Sequence, residues 1–168
     1  MSIVRILVDG YSLLHAWPDL LPGSAPHAAR SREELVRRLT RFHDAVGTPL
    51  SIFFDGQGAP AGTPRAESSR QVEVLYSRPG RTADDLIERT TFRLLPYGPV
   101  LVVTDDRAER DMVLGLGGLV SGCGVFIDQV REALGDSTED LRRHNRREQE
   151  RFRAPVSVPS RGGTRGGS

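Results

Sequence analysis

Residues 3–11 read Ile-Val-Arg-Ile-Leu-Val-Asp-Gly-Tyr, an apolar and largely β-branched run that stops at an acid and a glycine. Its apolar residues do not alternate with polar ones, so it predicts a strand buried on both faces, the kind found in parallel sheets. The pattern returns at Leu50–Phe54 before Asp55-Gly56, at Glu73–Tyr76, at Val100–Thr104 before Asp105-Asp106, and at Gly124–Ile127. Between the first two runs, Ser31-Arg-Glu-Glu34 has the capping-box pattern, followed by Leu35, Leu39, Phe42 and Val46 at helical spacing and a terminating Gly47. Thr82-Ala-Asp-Asp85 opens a second helix with Ala83, Leu86, Ile87, Thr90 and Leu94 along one stripe, stopping before Pro96. Strand, helix, strand is the rhythm of an α/β fold. It predicts a three-layer α/β/α sandwich around a mainly parallel five-stranded sheet, with right-handed crossovers.

Outward from these segments, 168 residues suffice for one domain of about 1–135. Ser137-Thr-Glu-Asp140 caps a strongly charged helix within 136–153, and residues 154–168, rich in Arg, Gly, Ser and Pro, read as a disordered tail. Gln57–Arg70, rich in Gly, Ala, Pro and Ser, reads as a mobile surface loop. Gly115-Leu-Gly-Gly118 lacks a preceding strand and the spacing of a dinucleotide fingerprint, so it reads as a tight turn.

All 23 basic residues are Arg, which excludes mechanisms that need a lysine: a P-loop, a Schiff base, a Ser-Lys dyad. The single Cys123 can form neither an internal disulfide nor a thiolate zinc site, and reads as core. No apolar run approaches a membrane span and the N-terminus lacks the order of a signal peptide, so a cytoplasmic protein is expected. Charge is unevenly spread. Residues 1–141 carry 15 Arg against 20 acids, and residues 142–168 carry 8 Arg against 2. An acidic body with a basic tail points to an anionic partner, nucleic acid first.

Three strands deliver acids at their carboxyl ends: Asp9, Asp55, and Asp105 with Asp106. In open parallel sheets ligands bind beyond those ends, where the strand order reverses. The second helix adds Asp84 in its first turn and Glu88 four residues on, along the same face. Two unit charges about 5 Å apart repel by roughly 3 kcal/mol at an effective dielectric near 20, so several such acids need a counter-charge. A hard divalent cation such as Mg2+ or Mn2+ suits oxygen ligands and phosphate substrates, and a bound metal activates water for attack on a phosphodiester. Each acid also has a plainer reading. Asp84 and Asp85 favour a helix start, Asp55 suits a turn, and Asp106 caps the helix after its strand.

At these residues the sequence resembles the YacP-like branch of the NYN-domain ribonucleases, which share the PIN-nuclease fold. The resemblance rests on Ile6-Leu-Val-Asp-Gly-Tyr-Ser-Leu-Leu-His-Ala-Trp-Pro18, Phe53-Phe-Asp-Gly56, Thr82-Ala-Asp-Asp-Leu-Ile-Glu88, Val102-Val-Thr-Asp105 and Gly115-Leu-Gly-Gly118. It implies a PIN-like sheet, Mg2+ or Mn2+ dependence and endonucleolytic cleavage of RNA, with messenger RNA and the ribosome among the contexts left open. By motif position it assigns catalysis and metal binding to Asp9, Asp84 and Asp105, and auxiliary roles to Asp55, Glu88 and Asp106. Ser12 stands where the family usually has Asn, a hydroxyl in place of an amide's two donors and carbonyl.

Among the remaining residues, Tyr11 is placed to stack a base, and His15, Arg78, Arg81 and Arg107 to hold phosphates, though solvated polar surface is the commoner fate of such residues. Trp17 reads as core. A phosphatase of the haloacid dehalogenase kind needs a strand-end Asp-x-Asp pair and a lysine, and neither exists here. The surviving alternative is an RNA-binding module with weak or lost catalysis, favoured only by Ser12.

Overall fold

A computed structural model describes residues 2–56, 66–68 and 71–135, together with 146 and 149. The opening run becomes β1 (Arg5–Asp9), with β2 (Leu50–Phe54), β4 (Val72–Tyr76), β5 (Val100–Val103) and β6 (Leu119–Ser121) completing five parallel strands. A short β3 (Ala66–Ser68) adds an antiparallel edge, giving the order β3-β4-β2-β1-β5-β6. The expected α/β/α sandwich therefore holds. The chain moves from β1 to β2 and β4 on one side, then returns to β5 on the other, so the order reverses between β1 and β5. That is the switch point at which ligands bind.

Within β1 the pleat sends Leu7 to one face and Ile6 and Val8 to the other. Ile6 and Val8 join Leu13, Leu35, Leu39, Phe42 and Phe126 from helices α1 (Gly10–Ala16), α2 (Ala29–Val46) and α5 (Cys123–Ala133). Leu7 joins Phe53, Val102, Ala83, Ile87 and Val113 under α3 (Ala83–Leu94) and α4 (Arg107–Leu116). Both faces are covered, which is why the strands are mostly apolar, with Arg5, Ser51 and Glu73 linked to one another across β1, β2 and β4. Trp17 and Cys123 are buried in the first core, as expected.

Three local readings change. Gly124–Ile127 is helix rather than strand: α5 begins at Cys123, and the sixth strand is Leu119–Ser121 just before it. Phe126, Ile127 and Val130 pack at helical spacing, a short apolar run that does not itself distinguish the two periods. Second, α2 starts at Ala29, so Ser31 lies inside its first turn, and its buried hydroxyl bonds Ala25 O and Ser24 rather than capping. Third, α1 went unpredicted, because seven residues show too little periodicity to be read.

Gly47 ends α2 in the left-handed conformation, and Thr82 with Asp85 forms a complete capping box on α3. Gly117, also left-handed, ends α4 within the expected turn. Gln57–Arg70 lies outside the described residues except for β3, as do the charged helix and tail beyond residue 135 except for 146 and 149, both helical. Among the described residues no helix is long and apolar enough to cross a membrane.

Gly10, between Asp9 and α1, is buried, and a Cβ there would collide with the Phe54 ring and the Phe53 carbonyl. Gly10→Ala is expected to destabilise the domain by roughly 1–3 kcal/mol, lowering Tm by roughly 2–4 °C per kcal/mol. Thermal unfolding checks this, and an unchanged Tm would show that the Phe54 ring moves aside freely.

Candidate active site

Asp9 is the last residue of β1 and the N-cap of α1, accepting from Ser12 N at 3.3 Å. The strand's end and the helix's need for a cap together fix this carboxylate at the crevice floor. Its other oxygen lies 3.2 Å from the hydroxyl of Thr104, a wholly buried residue just past β5. On the far side of that hydroxyl, at 3.1 Å, is Glu109 Oε2. Asp106 caps α4 by accepting from Glu109 N, which seats Glu109 in the first turn and turns its side chain inward, where it is only 2% exposed.

Asp84, in the first turn of α3, completes the group. Asp9, Asp84 and Glu109 each offer a carboxylate oxygen, and these oxygens all lie within 4.8 Å of one another. Asp55 fixes the helix that carries Asp84: its Oδ1 accepts from Ala83 N at 2.7 Å, tying the end of β2 to the start of α3. Removing that tie by Asp55→Ala is expected to cost about 1 kcal/mol, the usual worth of an N-terminal cap. It should also weaken divalent-ion binding by letting Asp84 drift. Thermal unfolding with and without Mn2+ reads both, and identical Mn2+ responses in the two proteins would refute the positioning role.

Packing acids this closely perturbs them. Burial, then the Asp9 charge, pushes the Glu109 carboxyl up to about 10. Burial also raises Asp9, against the opposing pull of hydrogen bonds from Glu109, Ser12 and Thr104. A neutral Glu109 accounts for the contacts of Thr104 Oγ1. That hydroxyl has a single proton yet lies beside both acid oxygens, and it already accepts from Asp106 N at 3.1 Å. The proton kept by Glu109 serves its hydrogen bond with Asp9, and the Thr104 hydroxyl gives its own single proton to one of the two acids. One atom remains. Glu109 Oε1 is sealed from solvent and has no hydrogen-bond partner.

A sealed oxygen without a hydrogen-bond partner, on an acid grouped with two other carboxylates, is costly as it stands. Asp9, Asp84 and Glu109 would hold a hard divalent cation through oxygen ligands alone, a donor set that suits Mg2+ or Mn2+ and that would relieve that cost.

The other expected residues divide clearly. Asp105, exposed beside the triad, accepts from Cys123 N at 2.9 Å through Oδ1 and so caps α5. Ser12 Oγ accepts from Asp105 N at 2.9 Å and lies 3.5 Å from Cys123 Sγ, pinning α1 to the end of β5. Burial pushes the Cys123 thiol up to about 12, which leaves it a packing group rather than a nucleophile. Glu88 is exposed one turn beyond Asp84 and is not among the three converging acids. Arg78, Arg81 and Arg107 are exposed, Tyr11 is half-buried, and His15 is exposed against His27. Sequence reasoning missed Glu109. Its one signal, an acid three residues after the capping Asp106, is shared by ordinary solvent-facing helix starts.

A family model described as the YacP-like NYN domain matches residues 6–160. The chain is 28% identical over 126 residues to the uncharacterized protein YacP of Bacillus subtilis (strain 168), a match covering 74% of each sequence. Among solved structures it is similar to that of Rae1 (YacP) from Bacillus subtilis, with a TM-score of 0.65 and 22% identity over 90% of this chain and 84% of the other. A tryptophan-to-leucine mutant of Rae1 gives a TM-score of 0.63 and 24% identity over 91% and 86%. At these identities the likeness to the solved structures speaks for the fold. By the extent of the family match, this chain belongs to the YacP-like NYN-domain family.

Proposed function

We propose that the protein is a metal-dependent endoribonuclease that cleaves RNA phosphodiester bonds at the crevice between β1 and β5. Family membership supports a nuclease or RNA-related role in general. The observation that carries the finer reading is the convergence of Asp9, Asp84 and Glu109, with one sealed, unpartnered oxygen among them.

A bound Mg2+ or Mn2+ supplies Lewis-acid stabilisation of the phosphoryl oxygens and a nucleophile from water at neutral pH. The chain's own residues supply position. Asp9 is held by the α1 N-terminus and Thr104, Asp84 by the Asp55-anchored helix, and Glu109 by the Asp106 cap. Thr104 Oγ1 lies between Asp9 and Glu109 and holds the two carboxyl groups in place. Asp105 keeps an exposed carboxylate at the mouth and is assigned an outer role. Arg78, Arg81 and Arg107 are assigned to the substrate backbone as exposed cations.

Incubation of the purified full chain with labelled RNA in Mg2+ or Mn2+, and in EDTA, tests the reading. Internal cleavage is expected only with the cation. Equal cleavage in EDTA, or tight RNA binding with none in either metal, would overturn it.

A further inference from the structure

Beside the acid triad lies a row of rings that the proposed chemistry does not use. Tyr11, two residues beyond Asp9, packs edge-on against the buried Phe54 at 5.1 Å between centroids. His27 tilts against Tyr11 at 4.6 Å, and His15 stands against His27 at 5.1 Å. His15 and His27 are both exposed, with their Nε2 atoms 3.3 Å apart. Tyr11 and His15 are four residues apart on α1, so the row runs about 6 Å along the helix, away from the catalytic acids.

Behind the row is Arg32, only 7% exposed. Its Nη1 donates to His27 O at 2.8 Å and to Tyr11 Oη at 3.4 Å. Among the described residues no carboxylate pairs with it. A guanidinium taken this far out of water without a counter-charge is costly, and an anion beside it removes that cost. The only sealed polar side-chain atom without a partner among the described residues is Glu109 Oε1, so the Arg32 nitrogens that lack hydrogen bonds keep an opening to solvent.

We infer that Tyr11, His27 and His15, with Arg32 behind them, form the track for the unpaired RNA strand flanking the scissile phosphate. The inference rests on the nuclease reading above. The acid triad repels a polyanion, so a neighbouring phosphate needs a cation close by, and Arg32 supplies it. The exposed imidazoles, whose Nε2 atoms are engaged with each other, add ring faces for bases, which stack on aromatic groups whatever their identity. Stacking needs bases free of a duplex, so the track selects single-stranded RNA. Phe54, locked in the core, holds the row in place before the strand arrives.

The test measures equilibrium binding of a fluorescein-labelled oligouridylate to the full chain in EDTA, where turnover plays no part. The paired variant His15→Ala/His27→Ala, both sites exposed, and Arg32→Met, with its fold checked by thermal unfolding, are compared with wild type. The basic tail is common to all three, so ratios report the track. Each variant is expected to weaken binding about tenfold, the scale of one lost stacking or phosphate contact. Arg32→Met should also flatten the slope of log K against log[salt] by about 0.7. A blunt duplex of the same length should bind wild type and the His variant alike. Single-strand affinities within twofold of wild type, or no wild-type binding at all, would overturn the track. Binding that behaves as expected, in a protein that cuts nothing in Mn2+, would instead overturn the nuclease reading and leave the track standing.

Discussion

Asp84→Asn is expected to lower metal-dependent RNA cleavage about a thousand-fold, equivalent to about 4 kcal/mol of activation barrier, while leaving the fold intact. The asymmetry between those two effects makes this the sharpest test of the site. Asp9 is entangled in the structure: it caps α1 through Ser12 N and holds the Thr104 hydroxyl, so its replacement mixes lost chemistry with lost stability. Asp84 is exposed, and its carboxylate serves the structure as an acid in the first turn of α3 and as a hydrogen-bonding neighbour of Glu109. Losing that charge costs about 0.3–1 kcal/mol against the helix dipole, partly offset by relief of repulsion from Asp9. Stability should therefore barely move. A Mn2+ titration should shift to higher concentration in the variant, because an amide oxygen carries no charge for the cation. Wild-type cleavage by Asp84→Asn at ordinary Mn2+ would remove Asp84 from the site and the present reading with it.

The acids were legible to different degrees, and for physical reasons. Asp9 and Asp84 stand at element starts that the chain marks plainly: an uninterrupted apolar strand before one, a complete capping box around the other. Asp55 and Asp106, for which turn and cap readings competed with catalytic ones, prove to be caps, of α3 and α4. Asp105 has the placement the strand end predicted, but its Oδ1 is engaged with the first amide of α5. Only the second half of that helix, beyond Asp128, was legible, because Gly124–Ile127 looks like a strand in isolation. Glu109 was hidden for a deeper reason. Its inward turn depends on β1, β5 and α3 meeting around Thr104, and burial of a charged group by tertiary contact leaves no periodic trace. The row formed by Tyr11, His27 and His15 is equally nonlocal, since His27 reaches it from the segment before α2.

Glu109→Gln is expected to remove most of the loss of metal-free stability as pH rises. In the unfolded chain this glutamate loses its proton near the ordinary 4.5, whereas the folded protein holds it to about 10. Between those values the folded state binds one more proton than the unfolded state. Its contribution is thus complete below pH 4.5 and declines by up to about 1.4 kcal/mol per pH unit as pH rises through the window. Asp9, also raised by burial, adds a decline of the same sign. Glutamine mimics the neutral acid, since its amide can donate to a neighbouring acid as the protonated carboxyl does, and it has nothing to titrate. In EDTA the variant should hence be the more stable protein at pH 8, by several degrees in Tm, and the difference between the two should shrink towards pH 5. Mn2+ should invert the ranking. The cation binds the ionised glutamate, so wild type gains stability that grows with pH, about 2.7 kcal/mol at a hundred times the dissociation constant, and the variant gains little. A difference in Tm that stays constant from pH 5 to 8 would mean that Glu109 is already ionised without a cation, and the sealed oxygen would lose its meaning as a metal ligand.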